Sequence, residues 1–249
     1  MNIFTPENLY ASYINLDHRI DRNEHMKQEL DKAEITAHRT KGMLPNEYSG
    51  SEYKVSVMRK RTPGAIGCHY SQVKIMEDAL KQNKHAFVME DDLVFCSDIQ
   101  KRFEYIENFL DKNEWDIFWL GGTYHLNPTW HSLNHNRDMP QCKCKLGKDW
   151  ENTSDPKIVR TYGCWSTYAY IVNKNSLEKV LKLLDENVHL SMGIDWLFIL
   201  LQPKLKTYAF NPGCVKQIDN KSDIGDWTQF SAFSNLGTHW WSDTINGNS

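Results

Sequence analysis

Hydrophobic positions alternate between two spacings along this chain. Tyr10 to Leu16 gathers Tyr13, Ile14 and Leu16 into a short predicted strand. From Arg19 to Glu34 the background is polar, and Ile20, Met26 and Leu30 mark one face of a helix. Thr40 to Pro63 is interrupted by Gly42, Pro45, Gly50 and Pro63 and reads as irregular. Gly64 to Gln82 places Ile66, Tyr70, Val73, Met76 and Leu80 at helical spacing. The unbroken run Ala86-Phe87-Val88-Met89 has the pattern of a strand buried on both faces. Ser97 or Asp98 is placed to cap a helix whose stripe is Ile99, Phe103, Ile106 and Leu110. Asp116 to Leu120 is a predicted strand stopped by Gly121-Gly122. Residues 123 to about 160 have no period and read as a long functional loop. Tyr168–Val172 and Lys206–Phe210 are further predicted strands; Ser176–Asn187 and Ile194–Leu201 are predicted helices.

Strands separated by helices predict an α/β fold: a mostly parallel, Rossmann-like sheet with helices on both faces. We expect a single domain over 1–249, with a ligand-binding half at about 10–120, a second half at about 121–241 and a flexible tail at 242–249. Ligands in such sheets bind beyond the carboxyl ends of strands. Three segments fall at such ends: Asn15-Leu16-Asp17, Glu90-Asp91-Asp92 and Gly121-Gly122. The net charge of -3 gives no support to a nucleic-acid partner. No stretch approaches the roughly 20 apolar residues of a membrane span. The start lacks the basic and apolar regions of a signal peptide, so the expected location is cytoplasmic, with peripheral attachment to a membrane left open. The 6 Cys are scattered, and Cys142, Cys144 and Cys164 with His131 or His135 lack the spacing of a zinc module.

The acidic triplet carries the most chemistry. Three successive carboxylates after a buried strand repel one another, and a cation removes that penalty. One or two carboxylates with substrate phosphates and water are the usual ligands of Mg²⁺, and Mn²⁺ accepts the same set. Alternation along an extended stretch predicts that Glu90 and Asp92 point together, with Asp91 opposed. A solvated acidic turn or a helix N-cap group is the other reading. Asp195 opens the apolar helix 194–201 and reads equally as a helix cap or as a base whose basicity the helix dipole lowers.

Several segments resemble glycosyltransferase family 25, which includes lipopolysaccharide and procollagen galactosyltransferases. They are Tyr13-Ile14-Asn15-Leu16-Asp17-His18-Arg19-Ile20-Asp21-Arg22, Gly64-Ala65-Ile66-Gly67-Cys68-His69-Tyr70-Ser71 and Val88-Met89-Glu90-Asp91-Asp92. Tyr168-Ala169-Tyr170-Ile171-Val172, Ile194-Asp195 and Ser222-Asp223-Ile224 look like later landmarks. The resemblance implies a GT-A fold, a UDP-hexose donor (galactose or glucose), Mn²⁺ or Mg²⁺, and inversion at the anomeric carbon. It implies a glycan, lipopolysaccharide or protein acceptor. Glu90 and Asp92 become the expected metal ligands, with His239 a late addition, and Asp195 the expected base. Asn15, Asp17, Arg19, Arg22, His69, Ser71, Asp91, Gly121, Gly122, Ser222 and Asp223 become candidate donor contacts. The family usually follows that Ser with His, whereas Ser71 here precedes Gln72. Two other readings remain: a binding module of the same fold, suggested by Gln72, and a metal-dependent phosphoryl-transfer enzyme, which lacks a Gly-rich phosphate cradle.

Overall fold

The computed structural model describes residues 2–43, 63–123, 150–190 and 193–218. In chain order the strands are β1 Leu9–Asn15, β2 His38–Lys41, β3 His85–Glu90, β4 Leu93–Phe95, β5 Ile117–Thr123, β6 Trp150–Asn152, β7 Ile158–Thr161, β8 Trp165–Val172, β9 Thr207–Phe210 and β10 Val215–Gln217. The α-helices are α1 Ile20–Lys32, α2 Pro63–Lys81, α3 Ile99–Leu110, α4 Leu177–Asn187 and α5 Ile194–Leu201. Eight strands form one sheet in the order β2-β1-β3-β8-β5-β9-β7-β6, and β4 pairs with β10 in a small second sheet. The large sheet is mixed. β1 is parallel to β2 and β3, and β5 to β9, while β8 lies antiparallel between β3 and β5.

Helices cover both faces, as the alternation of elements requires. On one face Met26 and Leu30 of α1 and Phe103, Ile106 and Phe109 of α3 bury against Phe87, Met89, Phe118 and Ile171. On the other, Ile75 and Met76 of α2, Val180 and Leu184 of α4 and Leu197 and Phe198 of α5 bury against Val88, Trp119, Tyr170 and Val172. Each such side chain, fully removed from water, contributes roughly 1.5–3 kcal/mol. The central strands are apolar on both faces because both faces are covered.

Four local expectations need correction. Gly121-Gly122 does not stop β5, which runs on to Thr123. A Cβ on Gly121 would meet the Val215 carbonyl oxygen at 2.4 Å, and one on Gly122 the Cys164 sulfur at 2.6 Å. These glycines therefore let β5 pack against β10 and the start of β8. The segment expected to be loop up to about 160 contains β6 and most of β7, an antiparallel hairpin. His38–Lys41, partly placed in an irregular stretch, is the edge strand β2. Asp98 makes no side-chain cap on α3; its carboxylate instead accepts from Arg102 Nε at 2.8 Å. Arg102 is fully buried and also donates to the Pro212 and Gly213 carbonyls.

Candidate active site

β1, β2 and β3 end on the same side of the sheet, because they are mutually parallel. With the start of α2 they wall a cleft of about 670 Å³, whose lining includes Asp17, Lys41, Glu90, Asp91, Asp92 and Gln217. That volume lies in the range of small-molecule sites. β3 stops at Glu90, and Asp91 and Asp92 occupy the turn that leads into β4.

The turn sends the three carboxylates in two directions. Asp91 and Asp92 converge on Arg22 of α1: Arg22 Nη1 lies 2.9 Å from Asp91 Oδ1 and 3.2 Å from Asp92 Oδ2. Asn15 Nδ2 donates to Asp91 Oδ2 at 2.7 Å, and Gln217 Nε2 to Asp92 Oδ2 at 2.8 Å. Glu90 turns the other way, toward α2 and β8, where Thr167 Oγ1 donates to Glu90 Oε1 at 2.7 Å. The expectation that Asp91 is opposed to Asp92 is thus wrong, since both reach Arg22, while Asp92 remains the strongest charge acting on Glu90. It assumed an extended chain through all three residues, and the strand ends at the first.

The electrostatics are those of an under-compensated acidic cluster. Burial, and then the charge of Asp92, push the Glu90 carboxyl up to about 8. Burial raises Asp92 to about 6 although Arg22 pulls it down. Asp195, at the start of α5, is not among the residues that line the cleft, but its charge adds to the repulsion on Glu90 and on the half-buried Cys68 thiol. Its own carboxyl is raised by burial, which outweighs the hydrogen bond from the Trp196 N–H at 2.7 Å. The expected loss of basicity from the helix dipole is therefore reversed. Asp92 Oδ1 is buried and has no hydrogen-bond partner. A desolvated carboxylate oxygen without a partner is costly, and a cation would remove that cost.

A divalent metal fits this arrangement. Glu90, Asp91 and Asp92 line the cleft, Arg22 is paired with Asp91 and Asp92, and Asp92 Oδ1 is an open ligand atom. Among the described residues no group of three or more His, Cys, Asp or Glu is placed to hold a metal ion by itself. A hard dication held by one or two carboxylates and completed by phosphate oxygens needs no such group.

The sequence model of glycosyltransferase family 25, described as LPS biosynthesis protein, matches residues 11–198. The chain belongs to glycosyltransferase family 25. Procollagen galactosyltransferase 1-B of Xenopus laevis is 29% identical to this family 25 chain over 123 residues, which cover 43% of the chain and 20% of that protein. The match thus spans about a fifth of the curated relative's length. Mouse xyloside xylosyltransferase 1 in its apo form aligns with a TM-score of 0.41 at 13% identity, over 76% of this chain and 66% of that one.

Of the donor contacts expected from the sequence of this family 25 transferase, Asp17, Arg22, Ser71 and Asp91 line the cleft. Arg22, however, is occupied by Asp91 and Asp92. Ser71 Oγ donates to the Gly67 carbonyl at 2.7 Å and accepts from the Met43 N–H at 2.9 Å, tying α2 to the chain after β2. Asn15 is buried beneath the site, bridging Asp91 and Arg39 Nε. Arg19 precedes α1 and forks onto Asp21, at 3.0 and 2.9 Å, outside the cleft lining. His69 is buried and lines a separate cavity of about 240 Å³ between α2 and α4. The helix turns His69 about 100° away from Cys68, which does line the cleft. Ser222, Asp223, His239, the tryptophans 240 and 241 and the basic run Arg59-Lys60-Arg61 lie outside the described residues. Sequence reasoning missed Thr167 and Gln217 as partners of the acidic turn, and Arg39 and Lys41, which flank Asp17 at 2.7 and 3.6 Å. The basic residues alternating along His38–Lys41 were the available signal for the last two.

Proposed function

We propose that this glycosyltransferase moves a hexose, galactose or glucose, from a UDP-sugar to an acceptor hydroxyl, with inversion and with Mn²⁺ or Mg²⁺ as cofactor. The observation that carries the reading is the orphaned, buried Asp92 Oδ1 in a cleft whose acids outnumber their buried cation. Family membership supports sugar transfer; the procollagen galactosyltransferase relative favours galactose and a glycan or protein acceptor.

Asp92 and Glu90 would hold the metal, which when bound offsets the negative charge that grows on the leaving diphosphate. Arg22 and Asn15 keep the acidic turn in place through Asp91. Lys41 and Arg39, at the rim around Asp17, favour entry of an anionic donor. Asp195 is the proposed base. The acceptor oxygen bonds to the anomeric carbon as the bond from that carbon to the phosphate oxygen breaks. The hydroxyl proton passes to the Asp195 carboxylate, and UDP carries away the bonding electrons. A base made more basic by burial suits that transfer better than an ordinary carboxylate. The binding-module reading shares the cleft but gives no task to Asp195.

The test is a panel of UDP- and GDP-hexoses assayed for metal-dependent release of the nucleotide. UDP release from UDP-galactose or UDP-glucose that stops with chelator is expected. In Asp195→Asn, UDP and Mn²⁺ should still bind while transfer falls by at least about 100-fold. Transfer at the wild-type rate in that variant would remove Asp195 from its role, and a panel with no metal-dependent release would favour the binding module.

A further inference from the structure

Thr167 stands where a regular strand would not put it. In β8, Tyr170 and Val172 face α2 and α4, while Ala169 and Ile171 face α1 and α3. Strict alternation would send Thr167 with Ala169, away from Glu90. Instead Tyr168 packs on the same side as Ala169, and Thr167 turns to α2, where it meets Gln72. Two irregularities produce the change. The register with β5 shifts between Gly121, opposite Ala169, and Thr123, opposite Trp165. Ser166 sits inside that stretch at φ 67°, a left-handed conformation that costs a residue with a side chain about 1 kcal/mol or more. Bulges of this kind re-aim side chains beside active sites.

The re-aimed hydroxyl closes a chain of hydrogen bonds with one direction. Tyr170 Oη donates to Gln72 Oε1 at 2.8 Å, Gln72 Nε2 donates to Thr167 Oγ1 at 2.9 Å, and Thr167 Oγ1 donates to Glu90 Oε1 at 2.7 Å. Each step follows from the one before. The tyrosine takes the amide oxygen, so the amide presents hydrogens to Thr167, and the hydroxyl hydrogen is left for Glu90. Gln72 Nε2 also lies 3.5 Å from the same Glu90 oxygen. Gln72, Thr167 and Tyr170 are all buried, so water does not compete for these bonds.

We propose that Thr167 and Gln72 are positioning residues for Glu90: together they fix one carboxylate oxygen as an acceptor and hold the carboxylate at the cleft wall, ready to bind a divalent cation. This rests on the metal-dependent reading above. A glutamine does this without gaining or losing a proton, so the links from Tyr170 through Gln72 to Thr167 keep their direction at every working pH. The β8 bulge, with its strained Ser166, is maintained because it delivers the hydroxyl.

Two measurements on Thr167→Val, Thr167→Ser and Gln72→Leu test it. The first is the position of the Glu90 side chain in metal-free crystals; the second is Mn²⁺ binding, with the metal alone, by titration calorimetry. In Thr167→Val and Gln72→Leu, Glu90 should leave its wild-type position and Mn²⁺ should bind about 10- to 100-fold more weakly, the usual effect of removing a ligand's outer partner. Thr167→Ser, which keeps the hydroxyl, should restore both. An unmoved Glu90 with wild-type Mn²⁺ affinity in Thr167→Val and Gln72→Leu overturns the proposal. Should Thr167→Val fail to fold, Gln72→Leu breaks the same chain from the helix side. If the wild type binds no Mn²⁺, the metal-dependent reading fails, while the position of Glu90 in metal-free crystals still decides the positioning role.

Discussion

Replacing Glu90 by glutamine should stabilise the metal-free protein, and increasingly so as the pH rises above about 5. The glutamine keeps a carbonyl oxygen to accept the Thr167 hydroxyl, so the change removes charge with little change of shape. In the folded chain the Glu90 carboxyl is raised from 4.5 to about 8 by burial and by Asp92. A carboxyl raised on folding opposes folding once it ionises. The penalty is absent below the unfolded value of 4.5, grows by about 1.4 kcal/mol per pH unit through the window up to about 8, and then levels off. The full window corresponds to about 5 kcal/mol. Glu90 keeps part of its surface in the cleft, where water screens it, so about 3 kcal/mol is the working figure. For a chain of this size that is about 6–12 °C in Tm. The assay is calorimetric unfolding of wild type and Glu90→Gln in chelator, from pH 5 to 8.5. The difference between the two should be near zero at pH 5 and should widen steadily with pH in favour of the variant. Mn²⁺ added at pH 8 should raise the wild-type Tm and close the gap. Taking the difference cancels carboxylates with lowered values, such as Asp17 and Asp21, which lose stability at the acid end instead. A difference independent of pH would refute the reasoning, since it would mean that Glu90 is not held ionised against its surroundings.

Other outcomes follow from the same geometry. Arg22→Met leaves Asp91 and Asp92 buried without their cation; a loss of about 3–5 kcal/mol is expected in urea unfolding, partly recovered by Mn²⁺. Gly121→Ala drives a Cβ to 2.4 Å from the Val215 carbonyl oxygen. It should cost about 1–3 kcal/mol by the same measurement and should disturb Gln217, and with it Asp92, through β10. Asn15→Leu removes the donor to Asp91 and the acceptor for Arg39; metal affinity should fall about tenfold or more in calorimetry while the fold persists.

The parts of the fold that were legible in the sequence are those whose burial is one-sided or complete. Ile66, Tyr70 and Met76 announce α2, and Ala86 to Met89 announce β3, because their environment demands apolar side chains at fixed spacing. β2 was obscure for the opposite reason: His38-Arg39-Thr40-Lys41 forms a sheet edge, mostly exposed, where pairing to β1 imposes no apolar pattern. β4 and β10, three residues each, are shorter than any period can reveal. The antiparallel insertion of β8 depends on which strands meet, which alternation of elements does not encode.

The same division runs through the site. Glu90-Asp91-Asp92 stood out because three acids follow a buried strand. That the turn would divide them, giving Asp91 and Asp92 to Arg22 and Glu90 to Thr167, depends on where β3 stops, a boundary of a single residue. Arg22 and Asn15 were picked out as ligand contacts and prove to be neighbours of Asp91. Their residue types suit an anion, and a carboxylate of the chain itself meets that preference as well as a phosphate would. Thr167 was hidden by the rule of alternation, which the bulge at Ser166 breaks.

The central claim is that Asp92 and Glu90 form one half of a metal site completed by a nucleoside diphosphate. The most direct measurement is anomalous diffraction at the manganese edge from crystals grown with Mn²⁺ and UDP. A single strong peak in bonding contact with Asp92 Oδ1, bridging to the diphosphate in the cleft and absent in Asp92→Ala, is the predicted result. UDP bound with no anomalous peak at Asp92, or a peak held by other residues, would contradict the account.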